Sequence, residues 1–345
     1  MLIGAAGSPA RGSGGPPLPA PGGPRRTVLS QQTPRVSIGL PVYNGEAFLA
    51  EALDSLLAQT FTDFELIVSD NASTDATAEI CRERAARDAR VRYLRNETNV
   101  GAMRNFNSVF ELARGAYFKW AAHDDVHEPT YLERCVDVLD RSPDVALVYP
   151  AARNIDANGE TLGTVLQGLR SDRPSPVVRF RDLIRRDHSC VAVLGVGRSE
   201  IFRKTRMLAG YADCDRVLLA EIGLAGRIVE LPEPLFVHRQ HQNRSVWQYR
   251  TRQKRSAWFD PSRAGRPAWP YTRQYRGYLT AINRAPISPA QRLACHALMF
   301  EWLIHNADGL WEDLSFAMTH RLRPIKRKLM PASARESGAG GRRDT

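Results

Sequence analysis

No apolar run in this chain approaches the ~18 residues that a membrane-spanning helix needs, so none is expected. Cysteine is scarce: Cys81, Cys135, Cys190, Cys214 and Cys295 are scattered, odd in number and never spaced Cys-x-x-Cys. That pattern argues against a disulfide framework or a zinc site and fits a reducing compartment. Met1 to Pro24 has neither the basic start nor the apolar centre of a signal peptide, so neither a signal nor an anchor is expected there. The first apolar run is followed by Pro41-Val42-Tyr43-Asn44-Gly45, not by a Gly-x-Gly-x-x-Gly turn or a P-loop. A glycine cradle for pyrophosphate is therefore absent, and with it the simplest nicotinamide-enzyme reading, although Asp70 stands where a ribose-binding acid would.

What is present suits a globular protein: 345 residues, 43% of them hydrophobic, suggest roughly two domains with a sizeable core. Charge is uneven, since residues 1–150 hold 15 Lys and Arg against 19 Asp and Glu, whereas 151–345 hold 33 against 18. A basic half suits phosphorylated ligands, an anionic membrane or nucleic acid. No nucleic-acid motif accompanies it, so no nucleic-acid partner is expected.

Residues 1–33 are rich in Gly, Pro and Ala and read as a disordered leader, as does the tail 331–345. Between 34 and 150, short apolar runs alternate with helical patterns. Arg35–Leu40, Phe64–Asp70, Val91–Leu94, Ala116–Ala121 and Val145–Tyr149 read as strands. Glu46–Gln59, a segment to about Arg87 capped by Ser73 or Thr74, Ala102–Ala113 and Pro129–Leu139 read as helices. This βαβ succession predicts an α/β fold with a mostly parallel sheet covered on both faces. Residues 151–248 are less regular, with Ile228–Pro232 and Leu235–Val237 reading as edge strands broken by proline. Residues 249–330 read as a helical extension ending in the basic run Arg321–Lys328.

One strand-like stretch, Ala116–Ala121, runs almost directly into Asp124-Asp125. The pair either caps the helix after Glu128-Pro129-Thr130 or stands at a ligand crevice, where strand ends collect functional groups and carboxylates hold Mg²⁺ or Mn²⁺.

Val36 to Asn44, Val68 to Asp75, Asn96 to Gly101 and Ala121 to Asp125, taken together and in this order, resemble the inverting glycosyltransferases of family 2, with the GT-A fold. The resemblance implies a nucleoside-diphosphate sugar donor, UDP-sugar favoured, a divalent cation (Mg²⁺ or Mn²⁺) and transfer with inversion. It implies that Pro41, Tyr43 and Asn44 meet the nucleotide, that Asp70 accepts from the base, and that Asn99 and Gly101 approach the nucleoside. Asp124 matches the last acid of the family's Asp-x-Asp and is assigned to the donor and the metal, with Asp125 beside it; the first acid is Ala122 here. Counting back from Gly226 to the family's base gives Asp215, with Asp213 in reserve, and its usual Glu neighbour is Cys214. Asp215 also reads as a helix cap. Arg239 and His241 resemble the loop that closes over the diphosphate, His241 also facing the metal. His123 and His238 read as structural or exposed.

The expected activity is metal-assisted transfer of single sugars to a glycan or lipid-linked acceptor, suited to an anionic one, in polysaccharide or glycolipid biosynthesis. The expected place is cytoplasmic, with peripheral contact to the inner face of the plasma membrane through the basic C-terminal part. A nucleotidyltransferase on a related sheet and a non-catalytic sugar-nucleotide-binding protein are the alternatives.

Overall fold

Seven consecutive buried residues, Val36–Val42, form β1, as a strand covered by helices on both faces requires. It pairs in parallel with β2 (Phe64–Asp70), which pairs in parallel with β3 (Val91–Arg95); on its other side lies β4 (Tyr117–Trp120), also parallel. A computed structural model describes residues 33–186, 188–242, 244–266 and 268–329. The expected disordered leader, apart from Thr33, and the tail lie outside the described residues.

The sequence predicts that β1 breaks at Pro41, yet the strand continues to Val42. Gly39 turns its carbonyl toward β4, accepting from Ala121 N–H at 2.9 Å, and Val42 turns its carbonyl toward β2, accepting from Asn71 N–H at 2.8 Å. By the two-residue period Pro41 also faces the β4 side, where pairing has already ended at Trp120. The missing N–H therefore costs no ladder bond.

The connections are α1 (Leu49–Leu57), α2 (Thr77–Arg87) and α3 (Ala102–Glu111). The chain continues through β5 (Val126–His127), α4 (Tyr131–Arg141), β6 (Val145–Ile155), β7 (Thr161–Val165), α5 (Pro176–Arg185), β8 (Val196–Arg198), α6 (Ser199–Lys204), α7 (Cys214–Ala225) and β9 (Arg227–Arg239). It ends in α8 (Ser245–Gln248), α9 (Arg252–Phe259), α10 (Pro270–Arg284), α11 (Pro289–His305) and α12 (Ala307–Leu329). One nine-stranded sheet runs β3-β2-β1-β4-β8-β6-β9-β5, with β7 on β6. β6 and β9 are parallel to each other, and the short β5, β7 and β8 join antiparallel.

Two expected edge strands around Pro232 and Pro234 are instead one interior strand. Pairing of β6 with β9 jumps from Pro150↔Leu231 to Ala152↔Phe236, so the prolines sit in a bulge and interrupt no ladder. α1 starts at Leu49, later than the expected Glu46, because Glu46 is tied to the next loop. Its N–H donates to Asp75 Oδ2 at 3.1 Å, and its carboxylate accepts from Ala76 N–H at 3.0 Å.

The core follows the strand alternation. Leu66 and Val68 face one cluster with Leu53, Cys81, Leu132 and Val136; Ile67 faces the other with Val109, Phe118, Trp120 and Phe202. Each such fully buried side chain contributes about 1.5–3 kcal/mol. Tyr278 of α10 and Trp302 of α11 enter the second cluster beside Leu183 and Leu218, so the C-terminal helices cover the sheet's core. Among the described residues no helix is long and apolar enough to cross a membrane.

Candidate active site

The carboxyl ends of β1, β2 and β4 open onto a cavity of about 1280 Å³. Its wall includes Pro41, Tyr43, Asn44, Asn99, Asp124, Asp125, Asp215 and His241, so eight residues singled out in the sequence meet one space. Among the described residues, Asp70, Gly101, Asp213 and Arg239 lie off this wall.

The nucleotide side is a network of short polar side chains. Asn71 Nδ2 donates to Asn99 Oδ1 at 2.9 Å, Asn71 Oδ1 accepts from Val100 N–H, and Asn99 Oδ1 also accepts from Gly101 N–H. Asn44, at φ 51°, accepts from Thr74 N–H at 2.9 Å while its own N–H donates to Ser73 Oγ. Ser73 therefore ties two loops together and caps no helix; α2 begins only at Thr77.

Asp70 is expected at the base, but its side chain is fully covered. Oδ1 accepts from Ser73 N–H at 2.8 Å, and Oδ2 accepts from Tyr93 Oη and Arg95 at 2.9 and 2.5 Å. Burial alone would raise its pKa, but Ser73, Tyr93 and Arg95 hold the carboxyl below the usual range. It braces the loop behind the wall. Gly101 likewise faces its own chain: its φ is +88°, and a Cβ there would stand 2.4 Å from Pro261 Cδ and 2.9 Å from the Phe259 carbonyl. The close approach that needs glycine is made by the segment after α9.

Past the last ladder bond of β4 the acids divide. Asp124 Oδ2 meets His241 Nε2 at 2.8 Å, and His241 packs against Phe48 at 4.8 Å between ring centroids. Burial would raise the Asp124 pKa, but the His241 hydrogen bond and the nearby His123 and Arg244 hold it at about 2. Asp125 Oδ1 instead accepts from Arg239 N–H at 3.0 Å; burial and the neighbouring Asp124 charge push its carboxyl well above the usual range. Beneath lies Lys119, fully enclosed, its Nζ 2.7 Å from His127 Nε2 and its pKa lowered by burial to about 7.

Arg239, expected on the diphosphate, is only 3% exposed and points away from the cavity. Its guanidinium donates to Glu51 Oε2 at 2.6 Å and to the Asp124 carbonyl at 3.1 Å, and lies over the Phe48 ring at 4.7 Å. It is a strut for the acidic loop. Arg239→Ala is therefore expected to cost about 1–3 kcal/mol in urea unfolding, because the Asp124 carbonyl loses its donor and Phe48 its packing partner, while the half-exposed Glu51 can turn to water.

The cation that does face the cavity is Arg244, which sequence reading missed; Lys254 and Trp258 join it on the wall. Arg244 donates to Gln240 Oε1 and faces His238 Nε2 at 2.7 Å. Burial and the Arg244 charge lower the His238 pKa to about 4. His238 is thus a neutral anchor for the arginine, and the available signal was strand alternation: His238 and Arg239 must face opposite sides.

Asp215 lies in the first turn of α7 and lines the cavity; burial and the Asp213 charge push its carboxyl up. Asp213 precedes it at φ 66° with no side-chain cap, and its carboxylate meets Arg252 at 3.1 Å and Arg255 at 3.6 Å. The two acids have different surroundings: one faces the cavity, the other an ion pair with α9.

The sequence pattern described as glycosyl transferase family 2 matches residues 37–204, which span β1 to α6 and the whole acidic loop. Residues 37–204 thus carry the family 2 glycosyltransferase pattern. Chondroitin synthase of Escherichia coli is 36% identical to this chain over 132 residues, 38% of this chain and 19% of that protein. An uncharacterized protein of Mycobacterium tuberculosis is 32% identical over 217 residues, 59% of this chain and 58% of the other. The alignments thus cover less than two thirds of these relatives' length. The fold is GT-A: S. aureus TarS residues 1–349 in complex with UDP-GlcNAc superimpose with a TM-score of 0.59 at 18% identity, over 87% of this chain and 77% of that one. The mannosyltransferase PcManGT of Pyrobaculum calidifontis, in complex with GDP-Man and Mn²⁺, gives 0.51 at 18% identity, over 90% and 80%.

For a divalent ion the cavity offers few protein ligands. Among the described residues no three His, Cys, Asp or Glu side chains cluster as a closed cage. Asp124, its acidity held low, and His241, whose Nδ1 is buried without a partner, stand side by side on the cavity wall as an oxygen and nitrogen pair. Such a pair fits a cation that keeps donor oxygens and water in its remaining positions.

Proposed function

We propose that the chain transfers a sugar from a nucleoside-diphosphate donor, a UDP-sugar by preference, to a hydroxyl of a glycan or lipid-linked acceptor, with inversion. The reading rests chiefly on one observation: Asp124 and Asp215 line the same cavity while differing in acidity, one held down at about 2 and the other pushed up. Opposed shifts in two carboxyls of one cavity are how a site separates an electrostatic role from a proton-accepting one.

In this reading Tyr43, Asn44 and the Asn71–Asn99 network border the nucleoside, and Asp124 with His241 holds Mg²⁺ or Mn²⁺. The bound cation would neutralise charge on the departing diphosphate. Arg244, anchored by His238 and Gln240, adds a fixed positive charge on the same wall. Asp215 accepts the proton of the acceptor hydroxyl as its oxygen attacks the anomeric carbon and the nucleoside diphosphate leaves. The basic second half, with Lys254 on the wall, favours an anionic acceptor in polysaccharide or glycolipid assembly. Five free, buried cysteines suit the cytoplasm.

The experiment is turnover and calorimetric binding of UDP-GlcNAc, UDP-glucose and GDP-mannose with and without Mn²⁺. Product of inverted configuration supports the reading; binding without turnover on a range of acceptors leaves a sugar-nucleotide-binding protein, and absence of binding defeats both. A pH profile adds a sharper check. Asp215 must be ionised to accept a proton, so kcat/KM should fall as pH drops through its raised pKa. The Asp213 charge contributes to that rise, so Asp213→Asn is expected to move the acid limb to lower pH. A limb that stays in place would remove Asp215 from this role.

A further inference from the structure

Two rows of large apolar side chains on the C-terminal helices face outward with no cover among the described residues. On α11, Leu293, Phe300 and Ile304 are 72%, 72% and 77% exposed, while Cys295, Met299 and Trp302 on the other face are buried. Leu293, Ala297, Phe300 and Ile304 recur at intervals of four, three and four, a single stripe. On α12, Trp311, Leu314 and Met318 are 64%, 44% and 45% exposed, while Asp313 and Ala317 are buried. In sequence the second stripe continues at the same spacing as Leu322, Ile325 and Leu329. Interleaved with these are Arg321, Arg323, Lys326, Arg327 and Lys328, five cations with no acid from 321 to 329.

We propose that these rows dock on an anionic lipid surface, α12 lying in the plane of the headgroups. Charge decides the occupant. A second copy laid parallel along α12 would bring two such basic stretches together, and one laid antiparallel would set five cations against Asp308 and Glu312 alone, whereas acidic headgroups neutralise them all. Asp308 and Glu312 flank the beginning of the α12 row, so attraction concentrates toward its end. A helix whose sequence sets cations between the positions of an apolar stripe binds in this way. The inference is independent of the donor chemistry.

The test is sedimentation of the full chain with vesicles of phosphatidylcholine alone and of phosphatidylcholine with phosphatidylglycerol, with light scattering of the free protein. The expected result is binding to the acidic vesicles only, released by salt. It should weaken about tenfold or more in the double variant Phe300→Ser, Trp311→Ser, and again in Lys326→Glu, Arg327→Glu. Far-UV circular dichroism and the urea midpoint should match the parent, since the substituted apolar side chains are exposed. Equal or absent binding to the two vesicles overturns the proposal. So does a dimer that Phe300→Ser, Trp311→Ser dissociates, which would make the rows a seam between copies.

Discussion

Asp215→Asn is expected to lower kcat for sugar transfer by about three orders of magnitude while leaving donor affinity within about twofold. A general base typically contributes 10²–10⁴-fold, and the amide keeps the carboxyl's shape but cannot take a proton. The side chain sits in the first turn of α7, where Oδ1 accepts from Arg216 N–H at 2.9 Å, so the substitution leaves its surroundings in place. Single-turnover kinetics with saturating donor separates the chemical step from binding. A variant as fast as the parent would transfer the base to another group, and Asp213 is badly placed for it, being held by Arg252 and Arg255.

The second large effect is expected at Asp124. Asp124→Asn should reduce kcat/KM by about 100-fold or more and raise the Mn²⁺ concentration needed for half-maximal rate, because the acidic loop loses the carboxylate whose acidity is held low at the cavity wall. Asp125 cannot substitute: its Oδ1 holds Arg239 N–H and its carboxyl is pushed up, so it is a poor anionic ligand. His241→Ala, assayed beside it, should reproduce the metal effect with a smaller loss of rate. Titration of Mn²⁺ by calorimetry with UDP present measures the change in affinity directly. Unchanged metal dependence in both variants would leave the pair with a structural task only.

Much of this was legible in the sequence because its causes are local. The buried apolar runs gave the strands, helical spacing gave α1, α3 and α4, and the acids at the end of β4 marked the mouth. What stayed hidden depended on partners far along the chain. Asp70 closes on Tyr93 and Arg95, and Arg239 on Glu51, through contacts that no spacing reveals. The exchange of Arg239 for Arg244 as the cavity's cation follows from where β9 ends, a boundary masked by the prolines in its bulge. The bounds of α10, which lies within the expected helical extension, were illegible for another reason. Gln274 and Gly277 interrupt its buried face, and the glycine lies where a Cβ would stand 3.0 Å from Val217, so close helix packing replaced apolar pattern.

Pro41 has one further consequence. Two neighbouring strands that could add rungs beyond Gly39 and Trp120 would zip the sheet toward its end and draw the acidic segment into the ladder. An imino acid has nothing to offer the next rung, so the zipper stops there whatever the solvent or temperature. The mouth is held open by covalent structure, and no bound molecule has to pry it apart.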